Sequence, residues 1–312
     1  MNYKFLLFGA GRYWFQRQHF SDLFRMRRYI IDKITDGYAE VTAHGLDYNY
    51  DDRTGKLSIW NMSLFMDGGE ESVERNGSIY DRPKLQSKDT SFVLIKQVLT
   101  VEPSFYSYDF MSNISFKITK TFCKPGSSSL VTVSKLFDKE SGQFLVERVV
   151  KFLRIDNNTR RPLQNPAWFL EKYANMEASP SEVLKNTLPD LPKEVFKYRT
   201  VIRYGDMDTN FHTNQSFYIK SCFDCASAAS LKKILVHFSG DICWYPVVFL
   251  SVDYLGESFP GDEIIIAMWQ DKDDISRFRF YIYNSQNRKL LTYVVCQLEL
   301  NRIVHDKILS NL

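Results

Sequence analysis

The sequence predicts an α+β protein in which antiparallel sheet packs on long helices, and three observations carry this prediction. From Ser216 to about Val236, apolar residues recur at helical spacing without a proline or glycine. Four β-rich segments separated by turn residues follow, between Trp244 and Leu300. A similar run of four strands, from Ser91 to Asp156, ends the N-terminal half. A helix followed by an antiparallel meander must bury its apolar stripe against the sheet.

The hairpins at the ends of the two strand runs suggest an internal repeat. Phe137–Val150 lies over Tyr283–Cys296 without a gap. In this register Phe137 meets Tyr283 and Phe144 meets Leu290, and in both segments a polar turn enters a long apolar strand. Self-similarity of this kind is the sequence signature of a repeated structural unit.

The remaining segments are less regular. Residues 161–196 carry five prolines and no sheet-length apolar run, so we expect a linker with one or two short helices. Residues 21–34 match a helix with Ser21 as its N-cap. Residues 51–86 are glycine-rich, and we expect them to be irregular.

The composition is that of a globular protein without a polyanion partner. Of the 312 residues 44% are hydrophobic and 25% are charged, and the net charge of +3 is too small to argue for nucleic acid. Aromatic residues make up 15%, which favours a strand-rich fold or an apolar ligand cavity. No apolar run reaches the ~20 residues of a membrane helix, and no signal segment is seen. We therefore expect a cytoplasmic protein without a membrane span.

The five cysteines predict a reduced, intracellular protein that needs no metal or cofactor. Their number is odd, and no secretory signal accompanies them. Cys222 and Cys225 form a CxxC pair, but no second pair or nearby histidine set completes a zinc site. Both fall on one face of the predicted helix, so we interpret them as small buried hydrophobic residues.

A dense polar stretch, from Asp206 to Asn214, lies between a short strand and the predicted helix. Asp208, Asn210 and His212 alternate along it, so in an extended backbone their side chains share one side. Histidine, carboxylate and amide supply a proton carrier, a base or nucleophile and a group that orients water. Unpaired N–H groups near residues 213–216 would hold a developing oxyanion. These are parts for acyl transfer, although Asp and Asn are equally common as caps and turn formers.

The stretch Arg203–Ser227 resembles the start of a thioesterase-type hotdog domain, in which R-Y-x-D-x-D-x-N-x-H-x-N-N leads from a strand into a helix wrapped by the sheet. It is similar in particular to the acyl-acyl-carrier-protein thioesterases, tandem double-hotdog enzymes of the 4-hydroxybenzoyl-CoA thioesterase-like superfamily. The resemblance covers Arg199 to about Leu300. In the first 170 residues it rests on the strand run and on "IDNNTRRPLQNP".

The resemblance implies two hotdog domains joined by a linker, each with an antiparallel sheet around a long helix. The N-terminal domain would span 1–160, the linker 161–196, and the C-terminal domain 197–312. The N-terminal half has no counterpart of the histidine motif. We therefore expect a degenerate first domain that shapes the acyl pocket, with one active site in the second.

In that family the D-x-N-x-H motif works with a glutamate from a segment of the type D-Y-R-R-E-C. "VDYLGESFPGDEI" matches this segment at Asp253 and Tyr254, and Glu257 falls on the glutamate position. The interval between the two motifs is longer than in the plant and bacterial enzymes, and Gln215 replaces the second asparagine of the motif. Glu257 or Asp208 would act as base or nucleophile. The catalytic residues implied are Asp208, Asn210, His212 and Glu257.

Four further residues belong to the predicted site. Thr213 and Asn214, at the start of the helix, would bind the substrate's oxyanion. Asp224 is a possible additional acid, because other hotdog thioesterases use a carboxylate on the helix. Ser258 is a further possible site residue, because it stands where the family often has cysteine.

The sequence thus predicts hydrolysis of a fatty acyl-CoA or acyl-carrier-protein thioester to the free acid and the thiol. Two alternatives stay open: a hotdog hydratase or dehydratase acting on acyl thioesters, and a non-catalytic protein that binds an acyl group or another small molecule. We expect the thioester as the partner, and either a monomer built as a pseudo-dimer or a homodimer.

Overall fold

Eleven strands form a single antiparallel sheet in the described part of the chain. The computed structural model describes residues 28–45, 52–108, 114–181, 184–185, 188–208 and 212–302. The strands are β1 (Tyr29–Thr35), β2 (Tyr38–His44), β3 (Thr90–Val101), β4 (Ser115–Phe122), β5 (Ser129–Asp138), β6 (Phe144–Asp156), β7 (Phe196–Val201), β8 (Val247–Tyr254), β9 (Glu263–Gln270), β10 (Arg277–Asn284) and β11 (Leu290–Leu298). The α-helices are α1 (Ile59–Asn76), α2 (Arg82–Leu85), α3 (Ala167–Lys172) and α4 (Gln215–Leu231). None of these helices is long and apolar enough to cross a membrane.

The sheet has the order β1-β2-β4-β5-β6-β3-β8-β11-β10-β9-β7. Its centre is the β3–β8 pair, which joins an N-terminal half (β1 to β6 with α1) to a C-terminal half (β7 to β11 with α4). Outward from this pair the halves read β3-β6-β5-β4-β2 and β8-β11-β10-β9-β7, with β1 added at one edge. In each half the long helix precedes the central strand in the chain. The two halves therefore repeat one strand order.

The hairpin repeat predicted from the sequence is confirmed by the strand register. Phe137 pairs with Phe144 across β5–β6, and Tyr283 pairs with Leu290 across β10–β11. In both hairpins the register shifts at that pair. The two segments thus occupy equivalent positions in the two halves.

Most of the predicted elements are also found. The four C-terminal strand segments form β8 to β11, the four N-terminal segments form β3 to β6, and α3 lies inside the predicted linker. The predicted helix after residue 215 is α4, but it ends at Leu231 instead of near Val236. It ends early because the chain turns into the left-handed region at Lys233 and again at His237.

The prediction for the region before β3 is wrong. Residues 29–34, expected in a helix, lie in β1 and pair with β2, while the proposed cap Ser21 lies outside the described residues. The segment expected to be irregular contains α1, which Ser58 caps by accepting a hydrogen bond from the backbone N–H of Asn61 at 3.4 Å.

Two glycines inside α1 explain why the helix lies close to the sheet. They also explain why its sequence does not show a clear helical pattern. A Cβ atom at Gly68 would lie 2.5 Å from the hydroxyl oxygen of Tyr29, and one at Gly69 would lie 2.8 Å from Cδ1 of Ile118. Glycine lowers helix propensity, but here it lets the helix lie close against β1 and β4. The sheet contact therefore requires the residues that weaken the helical pattern.

The two long helices share one face of the sheet and one hydrophobic core. Residues of both helices belong to a single buried cluster, and the Trp60 ring of α1 lies 5.6 Å from the Phe223 ring of α4. Cys222 and Cys225 are buried on α4, and all five cysteines are buried and unpaired, as expected of small hydrophobic residues.

Candidate active site

The loop between β7 and α4 folds back on itself and presents His212 at the start of α4. The backbone N–H of Asp208 donates to the carbonyl of His212 at 2.8 Å, and the carboxylate Oδ1 of Asp208 accepts from the N–H of His212 at 3.2 Å. The N–H of Asn214 donates to the carbonyl of Asp206 at 2.8 Å. Asn210, in the middle of this loop, lies outside the described residues.

The start of α4 presents backbone donors beside His212. Asn214 is the N-cap, and its side-chain oxygen accepts from the N–H of Ser216 at 2.9 Å. Its own N–H is already bonded to Asp206, so it is not the donor that the sequence led us to expect. No acceptor is found among the described residues for the backbone N–H of Thr213 or that of Gln215. Of these two donors the Gln215 N–H belongs to the helix itself, where the helix dipole adds to its attraction for a ligand oxygen.

Thr213 and Ser258 fix the start of α4 to the segment that follows β8. The Thr213 hydroxyl donates to the carbonyl of Ser258 at 2.8 Å, and Oγ of Ser258 lies 2.6 Å from the hydroxyl oxygen of Tyr218. Ser258 is fully buried, and burial raises the pKa of Tyr218. None of these partners is a base for Ser258, so the contacts favour a positioning role for Thr213 and Ser258.

Glu257 lies opposite His212, and Arg160 holds its carboxylate. Oε1 of Glu257 is 3.8 Å from Nε2 of His212, and each side chain is 39% exposed. The guanidinium of Arg160 makes an ion pair and a hydrogen bond with the same Oε1. Arg160 stands in the turn after β6, in the left-handed region with a φ of 56°, and its N–H donates to the carbonyl of Asp156 at 2.8 Å. The N-terminal half thus contributes a cation to the site.

Asp224 does not line the cleft that contains His212. It lies further along α4, with Oδ1 3.7 Å from Nη1 of Arg53. Burial raises the pKa of Asp224, and Arg53 opposes this effect. Its environment is an ion pair on the far part of the helix, and the structure does not bring it to the other predicted residues.

A cleft of about 730 Å³ connects His212 and Glu257 with α1, β3 and β4 of the N-terminal half. One part of its wall is apolar and is formed by Phe92, Val93, Leu94 and Phe152. Six of the eight residues predicted from the sequence line this one cleft. They are Asp208, His212, Thr213, Asn214, Glu257 and Ser258.

Two solved structures of thioesterases are similar to this chain. An acyl-ACP thioesterase from Bacteroides thetaiotaomicron has 16% identity and a TM-score of 0.62, over 83% of this chain and 98% of that one. A 12:0-ACP thioesterase from Umbellularia californica has 12% identity and a TM-score of 0.63, over 83% of this chain and 97% of that one. The chain has the hotdog fold. No protein-family model matches the sequence, and neither does any curated protein.

Within this hotdog fold, a layer of buried charges lies between the N-terminal sheet and α1. Lys120 of β4, Ser134 of β5 and Arg148 of β6 are direct neighbours across the strands. Opposite them are carboxylates of α1 spaced so that they share one helix face, namely Asp67, Glu70 and Glu74. The cleft is therefore not the purely apolar cavity that the aromatic content allowed.

Every charge in this layer has a partner. Nη1 of Arg148 is 2.6 Å from Oδ1 of Asp67 and 2.8 Å from Oε1 of Glu70, and Nζ of Lys120 is 2.7 Å from Oε1 of Glu74. The side chains of Arg148 and Lys120 are only 1% and 5% exposed. Burial alone would raise the pKa of Glu70, but Arg148 and Lys120 lower it. Burial raises the pKa of Asp67 despite the opposing effect of Arg148.

Arg148 also determines how Tyr254 can hydrogen-bond. Nε and Nη2 of Arg148 donate to Oε1 of Gln97 at 3.3 and 3.2 Å, because a guanidinium has no acceptor. The amide nitrogen of Gln97 then faces Tyr254 and donates to its hydroxyl oxygen at 2.6 Å. Burial raises the pKa of Tyr254 well above its ordinary value. Because Gln97 donates to this hydroxyl, the tyrosine's own hydrogen can be given to an acceptor in the cleft that Tyr254 lines.

Proposed function

We propose that this chain hydrolyses acyl thioesters to the free acid and the thiol. The observation that carries the proposal is the pairing of His212 with Glu257 at 3.8 Å, at the start of a helix whose Gln215 N–H has no described acceptor. A proton carrier, a carboxylate and an oxyanion donor at one point are the groups that thioester hydrolysis needs. The thioesterases with the same fold support this choice of reaction.

The proposed reaction uses each group once. The thioester carbonyl oxygen accepts from the N–H of Gln215, where the helix dipole stabilises developing negative charge. Glu257 accepts a proton from the attacking water while the new C–O bond forms. The C–S bond then breaks, and His212 donates a proton to the departing thiolate. The proton on Glu257 passes to His212 beside it, which restores both groups. Glu257 is the better candidate for the base, because Asp208 already accepts from the backbone of His212 and holds the loop.

The active site is proposed to belong to a tandem arrangement of two hotdog domains. They would span 1–160 and 197–312, joined by a linker over 161–196, with the chemistry in the second and a degenerate first domain. The shared strand order of the two halves supports this arrangement, which makes the monomer a pseudo-dimer. The substrate is proposed to be an acyl-CoA or an acyl-carrier-protein thioester, and the protein to act in acyl-lipid metabolism.

Thiol release from a panel of acyl-CoA esters tests the proposal. We expect His212→Ala to lower kcat/KM by ~10²–10⁴-fold, the usual worth of general acid–base assistance. The matched control is His44→Ala, because His44 is exposed on β2, does not line the cleft, and has its ring Nδ1 3.0 Å from Oγ of Ser115. Turnover that is unchanged in His212→Ala would overturn the assignment.

The role of the Glu257 carboxylate is tested by a second pair of variants. Glu257→Gln should lose activity on a similar scale, whereas Glu263→Gln should not. Glu263 is exposed to the same extent and also pairs with an arginine, Arg199, at 3.0 Å, but it lies on β9 and not at the cleft. Addition of water to a 2-enoyl-CoA without release of thiol would identify a hydratase instead.

A further inference from the structure

We infer that the acyl group accepted by this cleft is short and carries a substituent that donates hydrogen bonds, such as a hydroxyl or an amino group, in place of a long hydrocarbon chain. This inference rests on the proposed function and names the substrate class of that site. It comes from the position of the buried charges relative to the start of α4.

The layer of buried charges contacts the first residue of α4, Gln215. The side-chain amide of Gln215, whose backbone N–H is the proposed oxyanion donor, bonds to Oδ2 of Asp67. Asp67 is the most exposed member of the layer, because its side chain is 37% exposed while its partner Arg148 is buried. An acyl chain that leaves the carbonyl toward the N-terminal half therefore meets Asp67 within the length of one side chain.

The polar groups near Asp67 favour a ligand that donates hydrogen bonds. Oε1 of Gln215 is buried and has no hydrogen-bond partner among the described residues, so it is an unused acceptor. Asp67 adds carboxylate oxygens, and the Tyr254 hydroxyl adds a donor. A hydroxyl group can give a hydrogen bond to Gln215 or Asp67 and accept one from Tyr254, and an amino group can give two.

The charge of the lining favours a neutral or cationic substituent over a carboxylate. The lining carboxylates are Asp67, Glu70, Glu71, Glu74, Asp208 and Glu257, whereas the lining cations are Arg82, Lys120 and Arg160. Even with Arg148 behind the wall, acidic groups are in excess. An added carboxylate would be repelled by this excess.

A long alkyl chain is disfavoured for a different reason. It would remove water from Asp67 and from the unused acceptor of Gln215 without replacing the lost hydrogen bonds, and such unpaired burial is costly. The apolar wall formed by Phe92, Val93, Leu94 and Phe152 offers contact to a few methylene groups. A short chain can use that wall and still place a polar substituent beside Asp67.

The experiment compares five thioesters: butyryl-, 3-hydroxybutyryl-, β-alanyl-, succinyl- and lauroyl-CoA. We expect kcat/KM for the hydroxy or the amino ester to exceed that for butyryl-CoA by about tenfold or more, because a site built to bond a hydroxyl rejects the analogue that lacks it. Comparison of 3-hydroxybutyryl-CoA with β-alanyl-CoA shows whether the preferred substituent is a hydroxyl or an amino group. Lauroyl- and succinyl-CoA should be poorer than butyryl-CoA.

Two variants link the preference to the cleft. Tyr254→Phe removes the donor with little change in volume and should reduce the ratio of 3-hydroxybutyryl- to butyryl-CoA turnover. Its control is Tyr281→Phe, which removes a buried hydroxyl that donates to the carbonyl of Pro189 and should leave the ratio unchanged. The triple variant Asp67→Leu, Glu70→Leu, Arg148→Met removes linked charges together, which folded proteins tolerate, and should raise turnover of lauroyl-CoA relative to butyryl-CoA.

The outcomes separate this inference from the function on which it rests. If lauroyl-CoA is the best substrate and its turnover depends on His212, the inference is overturned and thioester hydrolysis stands. An unchanged ratio in Tyr254→Phe also overturns it. If no thioester releases thiol and His212→Ala behaves like the wild type, the proposed function itself is overturned.

Discussion

The ammonium of Lys96 on β3 lies 3.0 Å from the carboxylate of Asp253 on β8, and this ion pair crosses the centre of the sheet. The two side chains are 4% and 3% exposed. Asp253 immediately precedes Tyr254 in the chain, and successive strand residues point to opposite faces. The ion pair therefore lies on the face of the sheet that points away from the cleft. It holds β8 in place, and the Tyr254 side chain of β8 lines the cleft on the other face.

Breaking this pair on one side should destabilise the whole protein. Lys96→Met removes one charge of a buried ion pair, so we expect the free energy of unfolding to fall by ~3–5 kcal/mol. The double variant Lys96→Met, Asp253→Leu should recover much of this loss. Chemical denaturation followed by far-UV circular dichroism measures both. The control is Lys135→Met, whose exposed pair with Glu147 on β5–β6 is worth at most ~1 kcal/mol, and an equal loss there would contradict the prediction.

Arg160 should act as a positioning residue for Glu257. Arg160→Ala removes the guanidinium that holds the carboxylate facing His212, and misplacement of a reacting group by about 1 Å costs up to ~10²-fold in rate. We expect kcat to fall by about 10- to 100-fold, with KM changing less, and Arg160→Lys to restore part of the loss. Arg199→Ala, which breaks the equivalent exposed pair with Glu263, should leave kcat unchanged. A loss confined to KM would instead assign Arg160 to binding.

The ion pair of Asp81 should make stability depend on pH in the acid range. Hydrogen bonds from Lys172 and Lys84 lower the pKa of Asp81 from 3.8 to about 2. Because the folded pKa is the lower one, the stabilisation is complete above about pH 4 and is lost as the pH falls toward 2. Asp81→Asn should therefore reduce the free energy of unfolding by about 1–2 kcal/mol at pH 7, after allowance for the solvent exposure of the lysines.

Denaturation of wild type and Asp81→Asn between pH 7 and about pH 1 measures this effect. The difference between the two should shrink as the pH falls through the folded pKa of about 2 and vanish below it. Asp36→Asn is the control, since Asp36 pairs with the same Lys172 at 3.3 Å but is mostly exposed. A difference between wild type and Asp81→Asn that is undiminished below pH 2 would show that the loss does not come from the charge.

The native cysteines should be unreactive toward thiol reagents. All five are buried and unpaired, and burial raises the pKa of Cys123 to about 11 and those of the others as well. Because the thiolate is the reactive form, we expect no labelling by a disulfide reagent at pH 8 in the native protein and five thiols after unfolding in guanidinium. Rapid labelling of any cysteine before unfolding would contradict this expectation.

Local patterns were enough to predict β3 to β6, β8 to β11 and α4, because alternation and helical spacing in those segments agree with the final packing. They failed for α1, whose two glycines are explained only by the distant Tyr29 and Ile118. They also failed for β1, where a short apolar run before a turn fits a helix and a strand equally well. In both places a tertiary contact decides the local structure.

Some residues of the candidate site can also be predicted from local patterns, and others depend on tertiary contacts. His212 and Glu257 could be proposed from motifs, since each lies in a conspicuous local pattern. Arg160 could not, because its role depends on a contact between the two halves, although the "TRRP" segment that contains it had already been noted. Arg148 and Lys120 look like outward-facing strand residues until the carboxylates of α1 are placed opposite them.

The unbroken hydrogen-bond ladder through β3 and β8 has a consequence for how a ligand enters. The site draws residues from both sides of this ladder, yet a continuous sheet resists the hinge rotation by which many two-lobed proteins open. Ligand entry must then rely on side-chain motion at the rim of the cleft, where Arg160 and Glu257 are both partly exposed.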